Sequence, residues 1–185
     1  MTSRQGLGRI AAVIIGAALV DTGCSSTATP SPDSAPSATA TSSPGDEPRR
    51  LALATYDEFW RISEAAMQSP GTHDWASELH KVAEGQALKD TLTDVSNYAS
   101  YPAHVEGNIK RLPELQQVAV DSPTAVTVVD CLDATGTRVV ADKTGESLSD
   151  TTNQTPRYHF RAHVVQDSSS RWLVQTTEPL LDERC

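Results

Sequence analysis

Residues 157 to 165 read Arg-Tyr-His-Phe-Arg-Ala-His-Val-Val, a stretch in which polar and apolar side chains alternate. Because successive side chains of a β-strand point to opposite faces, this alternation predicts a strand with one buried face and one polar face. The predicted buried face consists of Tyr158, Phe160, Ala162 and Val164. The predicted polar face, which we expect to be a docking surface for an anionic partner or a second copy of the domain, consists of Arg157, His159, Arg161 and His163.

The segments on both sides of this strand also have the composition of strands. Residues 171–177 follow a predicted turn at 167–170, and the Val-rich residues 124–132 end at a predicted turn at 133–136. Two earlier strands are predicted over 105–112 and 115–120, with Pro113 between them. Strands that follow one another without intervening helices are typical of an antiparallel sheet.

Upstream of the strands, apolar side chains recur at helical spacing. Residues 50–67 carry Tyr56 and Trp60 on one apolar face, and the Ser-Pro-Gly sequence at 69–71 predicts the end of this helix. Asp74 is the predicted N-cap of a short second helix, and Gly85 precedes a third helix that runs through Tyr98. Three helices followed by an antiparallel sheet predict an α+β fold.

Short motifs spread over most of residues 50–185 carry a resemblance to a known superfamily. They are Gly85-Gln86-Ala87-Leu88, Gly107, Val129-Asp130-Cys131-Leu132-Asp133, Arg157, Trp172-Leu173-Val174 and Arg184-Cys185. In this order of helices and strands they resemble the NTF2-like (cystatin-like, SnoaL-like) superfamily, and in particular secreted or lipid-anchored actinobacterial proteins of that fold. The resemblance implies a cone in which three N-terminal helices pack on a curved, mostly antiparallel sheet.

The resemblance also implies where an enzyme of this superfamily would hold its catalytic groups. Such enzymes place carboxylates, His or Tyr inside the cone, where burial shifts a pKa toward a working value. Side chains of these types here are Tyr56, Asp57, Asp130 and His159. No pairing among them matches the dehydratases, isomerases or epoxide hydrolases of the superfamily. A hydrolase or isomerase is therefore the least favoured reading, and no catalytic residue is assigned.

The first 23 residues have the features of an export signal. Arg4 and Arg9 precede an apolar run over residues 10–20, which is too short to cross a bilayer core of about 30 Å. The following Val-Asp-Thr-Gly-Cys sequence resembles the lipobox of bacterial lipoproteins, which implies that Cys24 is lipidated. Asp21 departs from the aliphatic residue usual at that position, so plain secretion with a free thiol at Cys24 is the alternative.

Composition separates a tether from a folded domain. Residues 24–47 are dominated by Ser, Thr, Ala and Pro, and they predict a disordered tether because they offer little apolar surface to bury. Residues 48–185 then form one domain with 13 basic and 20 acidic side chains, an excess of acid that argues against a nucleic-acid partner. We expect this domain at the outer face of the cytoplasmic membrane, held by the lipid on Cys24, or secreted.

Two further cysteines remain once Cys24 is assigned to the anchor. An exported chain permits Cys131 and Cys185 to pair, and we expect a disulfide that ties the C-terminus to the third strand. A redox role would need neighbouring thiols, as in a Cys-X-X-Cys motif, and these two cysteines lie far apart in the sequence.

No cofactor or metal site is predicted. His159 and His163 are four residues apart on a strand and therefore about 13 Å apart, too far to share one metal ion. The sequence also lacks a nucleophile elbow, a phosphate loop, a zinc cluster and a dinucleotide fingerprint.

The aromatic side chains permit two hypotheses about the function of the protein. A cavity under the helices would be lined by Tyr56, Trp60, Asp130, Phe160 and Trp172, although core packing explains the aromatics among them equally well. A filled interior with an exposed apolar patch favours a non-catalytic interaction or accessory module that binds an unidentified protein at the cell surface. A cavity favours a carrier for a small apolar ligand or a lipid.

Overall fold

The computed structural model describes residues 46–119, 124–149 and 155–185. The predicted signal peptide, Cys24 and the predicted tether up to residue 45 lie outside the described residues. No helix within the described ranges is long and apolar enough to cross a membrane.

Three helices precede six strands in the part of the chain that the structure describes, which confirms the predicted α+β class. The helices are α1 (Asp46–Gln68), α2 (Trp75–Leu79) and α3 (Gly85–Ser100). The strands are β1 (Ala103–Glu106), β2 (Pro113–Ala119), β3 (Ala125–Asp133), β4 (Arg138–Ala141), β5 (Arg157–Gln166) and β6 (Trp172–Leu180).

The starts of the first two helices follow from local chemistry. Helix α1 begins four residues before the predicted start, and its first turn carries Asp46 and Glu47, whose negative charge suits the positive end of the helix dipole. Helix α2 begins as predicted, because Asp74 Oδ1 accepts a hydrogen bond from the Ser77 backbone N–H at 3.2 Å.

The strands form two antiparallel sheets. Strands β2, β3, β5 and β6 lie side by side in that order, and β1 pairs with β4 in a separate two-stranded sheet. In the central pair, Val126 lies opposite Val164, and Val128 lies opposite Ala162. All four of these side chains are fully buried, so the predicted register of residues 157–165 is confirmed.

The strand prediction over 105–112 is wrong beyond Glu106. The strand stops at Gly107, whose φ of +86° lies in the left-handed region, and a Cβ at this position would collide with the carbonyl oxygen of Gly136. Pro113 does not separate two strands but is the first residue of β2, a position that tolerates proline. Strand β4 was not predicted, and β6 continues past the predicted end to Leu180.

The hydrophobic core lies between α1 and the four-stranded sheet. Helix α1 contributes Tyr56 and Trp60, which are 0% and 6% exposed. Phe160 and Tyr158 on β5 are partly buried and pack against this core, in agreement with the predicted buried face.

Cys131 on β3 and Cys185 form a disulfide, as predicted. The bond joins the end of the chain to the centre of the sheet across a sequence separation of 54 residues. In the chain-entropy model, a closed loop of this length stabilises the fold by up to about 4 kcal/mol.

Candidate functional site

A cleft of about 250 Å³ lies between α1, α3 and the strand pair β5 and β6. Its apolar lining consists of Phe59, Trp60, Met67, Phe160 and Pro179. Its polar lining consists of Ser63, Gln86, Asp90, Thr91, Asp94 and Thr177. The volume is slightly below the range of about 300–1,000 Å³ that is usual for drug-sized ligands.

Helical periodicity places these side chains together. Phe59, Ser63 and Met67 are spaced four residues apart on α1 and share one face of that helix. Gln86, Asp90 and Asp94 are spaced in the same way on α3. The cleft therefore lies between one row of α1, one row of α3 and the sheet.

The aromatic wall of the cleft is held by ring packing within the protein. The ring centroids of Trp60 and Phe160 lie 5.2 Å apart in an edge-to-face arrangement, and those of Phe59 and Trp60 lie 6.2 Å apart. Such pairs have preferred geometries, so they fix the ring positions. The rings of the wall therefore support one another.

Three hydroxyl side chains line the cleft, Ser63, Thr91 and Thr177, and the two buried ones, Ser63 and Thr91, differ in their partners. Thr91 Oγ1 donates a hydrogen bond to the Ala87 carbonyl oxygen at 2.8 Å. Ser63 is only 1% exposed, and its Oγ has no hydrogen-bond partner among the described residues. A buried polar group in this state costs about 1–3 kcal/mol, which a ligand that hydrogen-bonds to it would recover.

Two exposed carboxylates lie one helical turn apart at the rim. Asp90 Oδ2 accepts a hydrogen bond from Gln86 Nε2 at 2.6 Å, and Gln86 Oε1 accepts one from the Thr177 backbone N–H at 2.7 Å. Asp94 makes no hydrogen bond or ion pair with the described residues. Partial burial, and then the charge of Asp90, raises the pKa of Asp94. The rim therefore carries a negative charge that no Lys or Arg within the described ranges neutralises.

Asp130 lies in the core beside the cleft and has its partners inside the fold. It is 0% exposed, its Oδ2 accepts a hydrogen bond from the Tyr56 hydroxyl at 2.9 Å, and its Oδ1 accepts one from the Leu112 backbone N–H at 2.6 Å. Burial raises the pKa of Asp130. Burial, together with the charge of Asp130, raises the pKa of Tyr56. The pair links α1 to β3 rather than facing a ligand.

The structure separates the five residues expected to line a cavity into two groups. Trp60 and Phe160 line the cleft. Tyr56, Asp130 and Trp172 are buried in the core and do not line it.

The structure places the four side chains considered for catalysis outside the cleft lining. Tyr56 and Asp130 form the buried pair, and the Asp57 carboxylate lies 2.9 Å from Arg111 Nη1. His159 lies on the opposite face of β5 from Phe160, because neighbouring strand residues alternate. No group of three His, Cys, Asp or Glu residues that could hold a metal ion is present among the described residues.

The polar face of β5, expected to dock a partner, has internal contacts. Arg161 Nη1 lies 2.7 Å from Glu178 Oε2, and Arg157 Nε lies 3.9 Å from Asp133 Oδ2. His163 Nδ1 lies 3.2 Å from Thr127 Oγ1. His159 Nδ1 is buried and has no hydrogen-bond partner among the described residues. The two guanidinium groups thus each face a carboxylate, which reduces the positive charge expected for this strip.

Sequence reasoning did not select Ser63, Asp90 or Asp94 as site residues. One signal was a small polar residue within the apolar stripe of α1, three residues after Trp60. The other was a pair of Asp residues four apart on α3, a spacing at which like charges repel. Neither feature of the sequence shows which faces of α1 and α3 lie against each other. Only the structure shows that Ser63 and the two Asp residues line the same cleft.

Comparison with known proteins gives structural neighbours only. No family model matches the chain, and no curated protein matches it. The intermembrane-space region of the chloroplast protein ARC6 is 16% identical, with 71% of this chain and 95% of that chain covered and a TM-score of 0.45. A protein from Catenulispora acidiphila is 10% identical, with 74% of this chain and 95% of that chain covered and a TM-score of 0.37. At these scores neither neighbour assigns a function to the chain.

Proposed function

We propose that this chain is an exported, lipid-anchored binding protein whose NTF2-like domain holds a small organic molecule in the cleft between α1, α3 and the sheet. The observation that supports this most is the Ser63 hydroxyl, which is buried in the cleft and has no hydrogen-bond partner among the residues described. Apolar walls with a few placed polar groups are typical of small-ligand sites. The cleft volume suits a molecule with one ring and a short chain.

Export and anchoring rest on the N-terminal sequence and the disulfide. The apolar run before Gly23 and Cys24 is the basis for lipidation at Cys24. The Cys131–Cys185 bond agrees with an oxidising compartment, where disulfides persist. The Ser/Thr/Ala/Pro-rich segment between Cys24 and the domain would allow the cleft to stand away from the membrane surface.

Binding without catalysis is favoured by the position of the titratable groups. Tyr56 and Asp130 are hydrogen-bonded to each other, and each is 0% exposed. A general acid or base must reach the proton that it transfers, and these two groups are enclosed by the core. The polar face of β5, which would serve an interaction module, has its Arg side chains directed to carboxylates, so the cleft supports the proposal better.

The test is a titration of the isotope-labelled full chain with 4-phenylbutan-1-ol, followed by the NMR signals of the tryptophan indole N–H groups. The Nε1 atoms of Trp60 and Trp172 are both buried and have no hydrogen-bond partner within the described ranges. Trp60 lines the cleft, whereas Trp172 lies outside it. We expect a saturable shift of the Trp60 signal and little change at Trp172. No saturable shift at Trp60, or equal shifts at both, would contradict the proposal.

A pair of serine variants provides the matched control. Ser63→Ala is expected to weaken binding of 4-phenylbutan-1-ol about fivefold, because one hydrogen bond of roughly 1 kcal/mol is lost. It should not reduce thermal stability, because the deleted hydroxyl has no hydrogen-bond partner in the part of the chain that the structure describes. Ser96→Ala, an equivalent change at an exposed position of α3, should leave binding unchanged. Equal binding by the two variants would show that Ser63 does not contact the ligand.

A further inference from the structure

We infer that the ligand of this cleft is an organic cation, namely an amine attached to an aromatic or short aliphatic body. The inference rests on the proposed binding function, because it names the class of molecule that the same cleft would take. In this arrangement Asp90 and Asp94 face the ammonium group, and the rings of Trp60 and Phe160 contact the body.

The rim carboxylates are arranged at a cost in free energy. Asp90 and Asp94 are one helical turn apart, a spacing at which like charges destabilise a helix by a few tenths of a kcal/mol. Several other surface carboxylates of this domain have basic partners, such as Glu47 with Arg50 and Glu58 with Arg61. Within the described residues Asp94 has none, although it lines a cleft with an aromatic wall. An ammonium group bound there would balance one of the two negative charges and so reduce the repulsion between them.

The buried hydroxyl is an independent indication that the cleft is completed by a ligand. Ser63 is 99% removed from solvent and contributes to the same cleft as the two carboxylates. Its Oγ can accept a hydrogen bond from an ammonium N–H or bind a polar atom elsewhere on the ligand. One small molecule in the cleft would therefore satisfy an acidic rim, a buried hydroxyl and an apolar wall.

An organic cation fits this site better than a metal ion. Hard metal ions such as Ca²⁺ take six to eight oxygen ligands, and the part of the chain that the structure describes has no cluster of three metal-ligating side chains. Two carboxylates beside aromatic rings are suited to an ammonium group with an apolar substituent, which benefits from ring contact as well as from charge. The acidic domain, with 13 basic and 20 acidic residues over 48–185, also attracts cations over a distance.

The experiment compares three probes of nearly equal shape by isothermal titration calorimetry with the full chain. They are 4-phenylbutylamine, 4-phenylbutan-1-ol and 4-phenylbutanoate, which are cationic, neutral and anionic at pH 7. We expect the amine to bind about tenfold more tightly than the alcohol, and the carboxylate to bind more weakly than either. Of the amine and the alcohol, only the amine should bind more weakly at higher salt, and its affinity should approach that of the alcohol.

Two double variants with the same change in charge locate the effect. Asp90→Asn with Asp94→Asn should abolish the preference for the amine over the alcohol. Glu146→Gln with Asp182→Asn removes two exposed carboxylates outside the cleft lining and should keep the preference. A preference that survives in the first double variant, or that is lost equally in both, would overturn the inference.

The outcomes separate this inference from the proposed function. If all three probes bind equally and Ser63→Ala weakens the binding of each probe, the cleft is a binding site but the assignment of its ligand as a cation is wrong. If the carboxylate binds most tightly, the charge assignment is reversed and the inference is also wrong. If none of the probes binds, both the inference and the proposed function are contradicted.

Discussion

Ser63 and Asp130 are both buried polar residues, but the fold supplies partners to only one of them. Asp130 accepts hydrogen bonds from the Tyr56 hydroxyl and the Leu112 backbone N–H, whereas Ser63 Oγ has no partner among the described residues. A satisfied buried group specifies the packing around it, and an unsatisfied one is a candidate for ligand contact. This difference assigns Asp130 to structure and Ser63 to the proposed site.

Tyr56→Phe is expected to destabilise the protein by about 1–3 kcal/mol at neutral pH, because the Asp130 carboxylate stays buried and loses a hydrogen bond. That hydrogen bond favours the charged form of Asp130, so the variant should raise the pKa of Asp130 further. A folded-state pKa above the unfolded value gives stability that is complete at low pH and is lost as the pH rises through the folded pKa.

The loss of folding stability caused by Tyr56→Phe should therefore be smallest in acid and largest at neutral pH. Urea denaturation of the variant and the wild type across this pH range measures this loss. Tyr158→Phe is the control, since Tyr158 is only partly buried and its hydroxyl makes no hydrogen bond with the described residues. A pH-independent deficit for Tyr56→Phe would contradict the account of Asp130.

Asp94→Asn is expected to raise stability at neutral pH. Its pKa is raised by partial burial and by Asp90, so ionised Asp94 opposes folding once the pH exceeds the unfolded value. The gain should appear as a higher melting temperature at pH 7 that disappears in acid, where Asp94 is protonated in both states. Asp182→Asn, a change at an exposed residue outside the cleft lining, should have little effect, and an equal gain there would contradict the role of the cleft.

At the level of elements, β5 and the helices could be predicted because their periodicity is strong. The alternation over 157–165 gave the register of the central strand, and the spacing of Tyr56 and Trp60 gave the buried face of α1. The two-stranded sheet was not found, because β1 and β4 have four residues each and their pairing is a contact between distant parts of the sequence. Strands this short contain too few alternations to be recognised.

Gly107→Ala tests the turn that ends β1. The positive φ and the close approach of Gly136 both oppose a side chain, so we expect a loss of at least about 1–3 kcal/mol. Gly71→Ala is the matched control, because a Cβ at Gly71 would meet nothing within 4 Å. Chemical denaturation of the two variants should give different midpoints, and equal stabilities would show that this backbone contact is not formed.

At the scale of the whole molecule, the fold class was predictable and the candidate site was not. The order of helices and strands follows from local patterns, whereas the cleft requires rows of α1 and α3 to meet over strands β5 and β6. Trp60 and Phe160 were expected at a cavity because they are large aromatics. Tyr56 and Trp172 were expected there for the same reason, but the structure places them in the core. Composition alone does not distinguish a side chain that lines a cavity from one that is packed in the core.

Lipidation at Cys24 is the prediction that belongs to the whole chain. Metabolic labelling with a fatty-acid analogue should mark the wild type and Ser25→Ala but not Cys24→Ala, because only the thiol of the lipobox Cys receives the lipid. Asp21→Leu should speed processing, since it restores the aliphatic residue usual at that position. Equal labelling of the wild type and Cys24→Ala would contradict the anchor.

Binding of a small organic molecule in the cleft can be observed directly through intermolecular nuclear Overhauser effects between the full chain and 4-phenylbutylamine. We expect contacts from the phenyl protons of the probe to the rings of Trp60 and Phe160, and from its terminal methylene to the β-protons of Asp94. Contacts that lie only on the outer face of β5, or no contacts to the cleft at saturating probe, would contradict it.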